Sequence, residues 1–267
     1  MSWRQTDWYD TPRYYDLIFD ADTEREVAFL EGIWQRHGHA ATSTPCVLEP
    51  ACGSGRLIAA MAGRGWKTVG FDASAAMLDF ARQRCASLTP APLLWQDRME
   101  SFVLPKSWRG GGFHLAHCLV STFKYLQTET QAQDCLRRLR DALRPGGLLI
   151  LGLHLSDYQR TRCEHERWVV RQDQVEVVCN TRTWPADRRR RLEALRNRLR
   201  VTDHGRTHQQ ETRWHFRTYN AAQLRRTLQT AVPDLRLVAC HNFHYDLEDT
   251  RQLDDAYADI IVVLKKS

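Results

Sequence analysis

The sequence predicts an α/β fold: a mostly parallel sheet with helices on both faces, carrying an antiparallel β insertion after its fifth strand. Three observations predict it. From Val47 to about Leu153, short apolar runs alternate with amphipathic helical segments, the pattern of strands linked by crossover helices. The stretch "VLEPACGSGRL", residues 47–57, reads as a buried strand, a glycine turn and the first turn of a helix. After Ser156 the periodicity changes to two, which marks antiparallel strands.

Taken in order, "CVLE" is the first strand. The helix "SGRLIAAMAGRG" places Leu57, Ile58 and Met61 on one face and stops at its glycines. "WKTVGFD" is the second strand, and "SAAMLDFARQRC" a helix with Ser74 as its N-cap. "APLLWQD" and "FHLAHCLV" are the third and fourth strands. "TQAQDCLRRLRDAL" is a helix stopped by the turn "RPGG", ahead of the fifth strand "LLILGLHL". Beyond it, "RWVVRQDQVEVVCNTRTW" and "TRWHFRTY" alternate as antiparallel strands, with "DHG" at 203–205 as a turn. The Arg-rich segment between them fits a helix through Leu192, Leu195 and Leu199, or a strand through Leu195, Leu199 and Val201; strand is the preferred reading. "NAAQLRRTLQTA" is a helix, and "LRLVACHNFHY" and "DIIVVLKK" are the closing strands. The expected organisation is an N-terminal cap over 1–44, a core over 45–156 and 219–267, and an insertion over 157–218.

Hydrophobic content of 43% with 26% charged residues describes an ordinary globular chain rather than a disordered one. The N-terminal twenty residues carry acids and polar residues and no apolar run that could act as a signal peptide, and no run in the chain approaches the roughly 18 apolar residues of a membrane span. Eight cysteines without a CxxC pair suggest reduced thiols and a cytoplasmic location. The net charge of +6 is concentrated: "ADRRRRLEALRNRLR", 186–200, holds seven Arg against two acids. A nucleic-acid binder usually shows a broader basic face, so this is read as a local feature, and a solvated face is its simplest account. "HGH" at 37–39 and "HNFH" at 241–244 do not make a metal set.

A glycine turn between strand and helix lets a ligand approach the backbone, and the free N–H groups at the helix start attract negative charge. A dinucleotide fingerprint fails here, because its third glycine would fall at Ile58. A P-loop fails for want of Gly-Lys-Ser/Thr. What remains is Glu49 followed by Ala51, Gly53 and Gly55. This resembles motif I of the class I, Rossmann-like S-adenosylmethionine-dependent methyltransferases, with Ala51 in place of the usual first glycine. "VGFDASAAMLDFAR", "WQDRMESF", "FHLAHCLVSTFKYL" and "LRPGGLLIL" resemble the family's following motifs, so the likeness runs continuously over about 45–155. It implies a seven-stranded mostly parallel sheet and S-adenosylmethionine as cofactor. Carried over residue by residue, it implies a backbone nest at Ala51, Cys52, Gly53 and Gly55. Asp72, with Ala73 behind it, would accept from the ribose hydroxyls. Asp97, with Arg98 and Met99 beside it, would meet the adenine. Cys118 lies in the motif that passes the methionine part, although a core thiol is the simpler reading. Met77 is more simply core packing.

"YYDLIFDADTEREVAFLEGI" resembles the N-terminal cap of small-molecule methyltransferases, including glycine and sugar-amine N-methyltransferases. There a tyrosine closes over the sulfonium end, a role open here to Tyr14 or Tyr15. Arg25 is a candidate for the cofactor carboxylate, against the plainer reading of a solvated helix arginine. His117 and His154, at the ends of the fourth and fifth strands, are the candidate general bases, each weighed against a packed or surface histidine. His244 and Tyr245 lie further off. No [DN]-PP-[FYW] tetrapeptide follows the fourth strand, so the expected partner is a small-molecule acceptor methylated on N or O, taken by a monomer or homodimer. The competing readings are an RNA or protein methyltransferase using the Arg-rich insertion, and a cofactor-binding regulator without turnover.

Overall fold

The computed structural model describes residues 3–38, 44–108 and 111–267. A two-residue strand β1 (Arg4–Gln5) and a 3-10 turn at Trp8–Asp10 lead into helices α1 (Pro12–Phe19) and α2 (Thr23–His37). The core then alternates β2 (Cys46–Pro50), α3 (Arg56–Gly63), β3 (Lys67–Asp72), α4 (Ala75–Arg84), β4 (Leu93–Gln96), β5 (Phe113–Cys118), α5 (Glu129–Ala142) and β6 (Leu143–His154). Four antiparallel strands follow: β7 (Glu164–Gln172), β8 (Val175–Thr183), β9 (Leu192–Asp203) and β10 (Arg206–Arg217). The chain returns through α6 (Ala221–Ala231), β11 (Leu235–His241) and β12 (Asp259–Lys266). His39 of "HGH" lies outside the described residues. No described helix is long and apolar enough to cross a membrane.

The large sheet has seven strands in the order β11-β12-β6-β5-β2-β3-β4, parallel except for β12. Its central strands are buried on both faces because helices cover both. Leu48, Ala116 and Leu149 point to one apolar cluster, and Val47, Leu115 and Ile150 to the other. The chain order reverses between β2 and β5, so the carboxyl ends of the strands open a crevice there, where ligands of such sheets bind.

The second sheet runs β1-β10-β9-β8-β7. One face presents Val175, Val177, Cys179, Leu199 and Val201 to Trp8 and to the apolar side of α1. The Arg-rich run is therefore a strand from Leu192 onward, since period-two burial of Leu195, Leu199 and Val201 leaves Arg196, Arg198 and Arg200 opposite.

Two local expectations needed revision. "RPGG" is not a turn ahead of the fifth strand: β6 begins at Leu143, already paired with Phe113, and a register shift with Gly146 at φ +74° absorbs the irregularity. The fourth strand ends at Cys118 rather than Val120, because Val120 and Ser121 take left-handed φ of 53° and 63° and turn the chain into a 3-10 segment, Thr122–Tyr125.

Candidate active site

The glycine turn closes the carboxyl end of β2. Ala51, Gly53 and Gly55 all take positive φ, at 52°, 53° and 71°. At Gly55 a Cβ would stand 2.8 Å from that of Ala81, so this glycine allows α3 and α4 to approach rather than touching a ligand. At Gly53 a Cβ would meet no atom within 4 Å and would project into open space. Asp72, at the tip of β3, holds the turn: its carboxylate accepts from Gly53 N and Ser74 N, both at 2.8 Å. Burial raises the Asp72 carboxyl above the ordinary range, and the N–H groups of Ser74 and Gly53 oppose that rise. Asp97, past the tip of β4, accepts from Arg98 N at 2.8 Å and Val103 N at 3.0 Å, and its own N–H reaches Asp72 O at 3.1 Å. Ser74 caps α4 as expected, accepting from Met77 N.

These residues line a cavity of about 650 Å³ with Ala51, Ala73, Arg98 and Met99. Its far wall is the N-terminal segment, through Asp7, Tyr9, Asp10 and Tyr15, together with Thr122, Tyr125 and Leu126. A recess of about 40 Å³ continues it beneath Glu49, Cys52, Arg56 and Cys118. Glu49 is buried with Oε2 lacking any partner. Burial pushes its carboxyl well above the usual range, against the pull of nearby Arg56. Arg56 is ion-paired with buried Glu26 and donates to Thr23 Oγ1 at 3.1 Å, while Tyr245 donates to Glu26 Oε1 at 2.8 Å.

A second cavity of about 480 Å³ lies between the core and the inner face of the second sheet. Tyr15 and Thr122 line all three spaces, so they mark the junction. Tyr9 and Tyr125, whose hydroxyls hydrogen-bond at 2.6 Å, form the wall between the two larger cavities. Period two along the insertion strands sends Glu166 and Trp168 of β7, Glu193 of β9 and Trp214 and Phe216 of β10 into the second cavity. His154, ending β6, and Asp259, opening β12, pair across the sheet with Nδ1 to Oδ1 at 2.7 Å. Donation from His154 holds the Asp259 carboxyl below its usual range. Lys124 is buried in the floor, where it donates to Glu193 Oε1 at 2.7 Å and His154 O at 3.1 Å.

Residues 47–147 match the family model described as a methyltransferase domain. The chain is 29% identical over 143 residues to a Bacillus subtilis (strain 168) methyltransferase candidate, YqeM, covering 54% of this chain and 53% of that one. It is 29% identical over 140 residues to the dTDP-3-amino-3,6-dideoxy-alpha-D-glucopyranose N,N-dimethyltransferase of Streptomyces fradiae, covering 51% and 50%. The chain thus aligns with about half the length of the curated relatives it matches. The solved structure of an S-adenosylmethionine-dependent methyltransferase from Clostridium acetobutylicum superposes with a TM-score of 0.74 at 16% identity, over 98% of this chain and 100% of that one, so the two share a fold.

S-adenosylmethionine is the cofactor of this class of methyltransferase domain, and the residues present fit it. Gly53 leaves room for a ligand against the backbone, Asp72 and Asp97 stand at neighbouring strand tips, and the orphaned Glu49 carboxyl sits in the recess beside them. Of the sequence candidates, Ala51, Cys52, Gly53, Glu49, Asp72, Ala73, Asp97, Arg98, Met99, Cys118 and Tyr15 line the first cavity or its recess, and His154 lines the second cavity.

Four candidates fall elsewhere. Tyr14 faces the second sheet, donating to Asp203 Oδ2 at 3.1 Å with its ring tilted against His208, so Tyr15 alone of the pair reaches the junction. Arg25 is exposed, paired with Asp22 at 2.7 Å. Gly55 serves helix packing. His117 is wholly buried with neither ring nitrogen partnered; burial, with Arg56 adding to it, lowers its imidazole to about 3, so it stays neutral and out of reach. Met77 is fully buried in the core. The sequence reading missed Arg56, Thr122, Tyr125, Glu166 and Asp259. Arg56 follows the glycine turn directly and was the one with a signal, a cation beside an unpaired acid.

Proposed function

We propose that the chain transfers a methyl group from S-adenosylmethionine to an amine nitrogen of a small hydroxylated acceptor of the amino-sugar class. The observation that carries this reading is the second cavity. It joins the cofactor cavity at Tyr15 and Thr122, has aromatic walls, and holds five carboxylates (Asp157, Glu164, Glu166, Glu193 and Asp259) against two permanent cations, Lys124 and Arg160. That excess of negative charge favours an amine, which arrives as a cation, over an acid or a neutral alcohol. The Streptomyces fradiae relative, named for an amino sugar, supports the same class.

The bound cofactor supplies an electrophilic methyl group on a sulfonium. The protein's work is alignment, exclusion of water and proton handling. Tyr15 is half-buried and desolvation holds its phenol protonated, so it offers a neutral oxygen at the junction. The Asp259 carboxylate fixes the His154 ring, and the imidazole is placed to take the proton the amine gives up. Residues 157–218 form the acceptor's outer wall.

The test uses methyl-labelled cofactor with amino sugars and with analogues carrying a hydroxyl in place of the amine. Label on the amine alone is the expected result. Equal labelling of the hydroxyl analogues would move the acceptor atom to oxygen, and label confined to macromolecules would overturn the acceptor class. Absence of heat with S-adenosylmethionine or its demethylated product, on folded protein, would remove the whole reading.

A further inference from the structure

We propose that the outer face of the second sheet, opposite the acceptor cavity, is a docking surface for the phosphate backbone of a single-stranded nucleic acid. The antiparallel register places Arg196, Arg198 and Arg200 of β9 on this face. It aligns Arg182 of β8 beside Arg196 and Arg213 of β10 on the other side of it. Arg167 and Arg171 of β7 complete the set, facing Asn180 and Glu176. Seven guanidinium groups from four strands therefore share one surface, with Glu176 and Glu211 as its two carboxylates.

The two acids leave the excess uncompensated. Glu211 is shared among Arg198 at 2.6 Å, Arg213 at 2.7 Å and Arg196 at 3.8 Å, and Glu176 between Arg171 at 2.6 Å and Arg200 at 3.5 Å. The ring of Trp184 has the Arg182 and Arg196 guanidiniums at 4.9 Å and 5.7 Å. Both of those side chains keep a buried Nε with no hydrogen-bond partner. Arg171, Arg200 and Arg213 are at least half exposed, so the charge is presented and not merely stored.

Chemistry selects the occupant. The cores of protein–protein interfaces are apolar and poor in charge, whereas this face carries Val169, Val178 and Ala194 among its guanidiniums. Nucleic-acid interfaces are polar and strongly positive. A second copy of the chain would set like charge against like, and a membrane surface would call for a larger apolar flank than exposed Val169 supplies on this face. Arg196–Arg200 on β9 span about 13 Å at the rise of an extended strand and the four strands about 14 Å across, a patch that suits a few successive phosphates of a polyanion.

The test is fluorescence anisotropy of a labelled oligouridylate of about 20 nucleotides with the full chain at about 50 mM salt. Neutralising about four phosphates should make log K fall with log salt at a slope of about −3. Combined Arg171→Gln, Arg200→Gln and Arg213→Gln replacement should weaken binding at least tenfold. No binding at low salt, or unchanged binding by a variant with native circular dichroism, would overturn the proposal. Polyglutamate competing as well as the oligonucleotide would replace nucleic acid by an acidic protein. The readout is binding alone, so failure of the acceptor assignment leaves it standing.

Discussion

Gly53 and His154 carry the two residue-level expectations. Gly53 sits at φ +53° with empty space where a Cβ would be. Gly53→Ala should cost about 1 kcal/mol from the left-handed conformation. It should weaken S-adenosylmethionine binding at least tenfold by calorimetry, with the melting temperature little changed. Retained affinity would mean that the cofactor does not lie against this backbone. His154→Asn should lower turnover about a hundredfold with cofactor affinity preserved, the scale of a lost general base. Asp259→Asn should act in the same direction, since it removes the carboxylate that orients the ring. Equal loss of cofactor binding in either variant would show a structural role instead. Residues at strand tips were legible because strand, turn and acid are consecutive in the chain: Glu49, Asp72 and Asp97 are of this kind. Thr122 and Tyr125 were not, because two left-handed residues after β5 swing them into the site. His117 and His154 looked equivalent in the sequence. Only burial separates them, one sealed in the core and the other paired in a cavity.

At the level of elements, period two in β9 did what helical spacing could not: it turned one row of side chains inward and a row of arginines outward. The cross-strand set around Glu211 gives a pH-dependent expectation. Burial works to raise this carboxyl, but donation from Gln5, Arg198 and Arg213 prevails and holds it at about 2. A depressed carboxylate adds stability above its unfolded value of about 4 and loses it as pH falls toward the folded value. Glu211→Gln should therefore lower the melting temperature at neutral pH, with the gap to the parent closing between about pH 4 and pH 2. A gap independent of pH would assign the effect to packing alone. The start of α4 was legible because caps are local: Ser74 accepts from the backbone N–H three residues on, as Thr128 and Asn220 also do at α5 and α6.

Across the whole molecule, no cysteine is disulfide-bonded and seven of the eight are buried, with Cys163 partly open. A thiol reagent should accordingly titrate one group rapidly in the native protein and eight in denaturant. Two or more fast thiols in the native state would mean that the core opens more readily than its packing implies. The N-terminal segment belongs to both sheets' business: β1 pairs with β10 at its edge, while Tyr15 of α1 stands at the junction of the cavities.

The sequence by itself determined the parallel core, the glycine turn and the acids that flank it, because each is written in contiguous residues whose spacing follows strand and helix geometry. Tertiary structure alone decided which tyrosine and which histidine face a cavity, since exposure depends on elements far away in the chain. It likewise decided that arginines from four separate strands form one face. The physical reason is that lateral strand pairing, unlike strand formation, brings together residues that no local pattern connects.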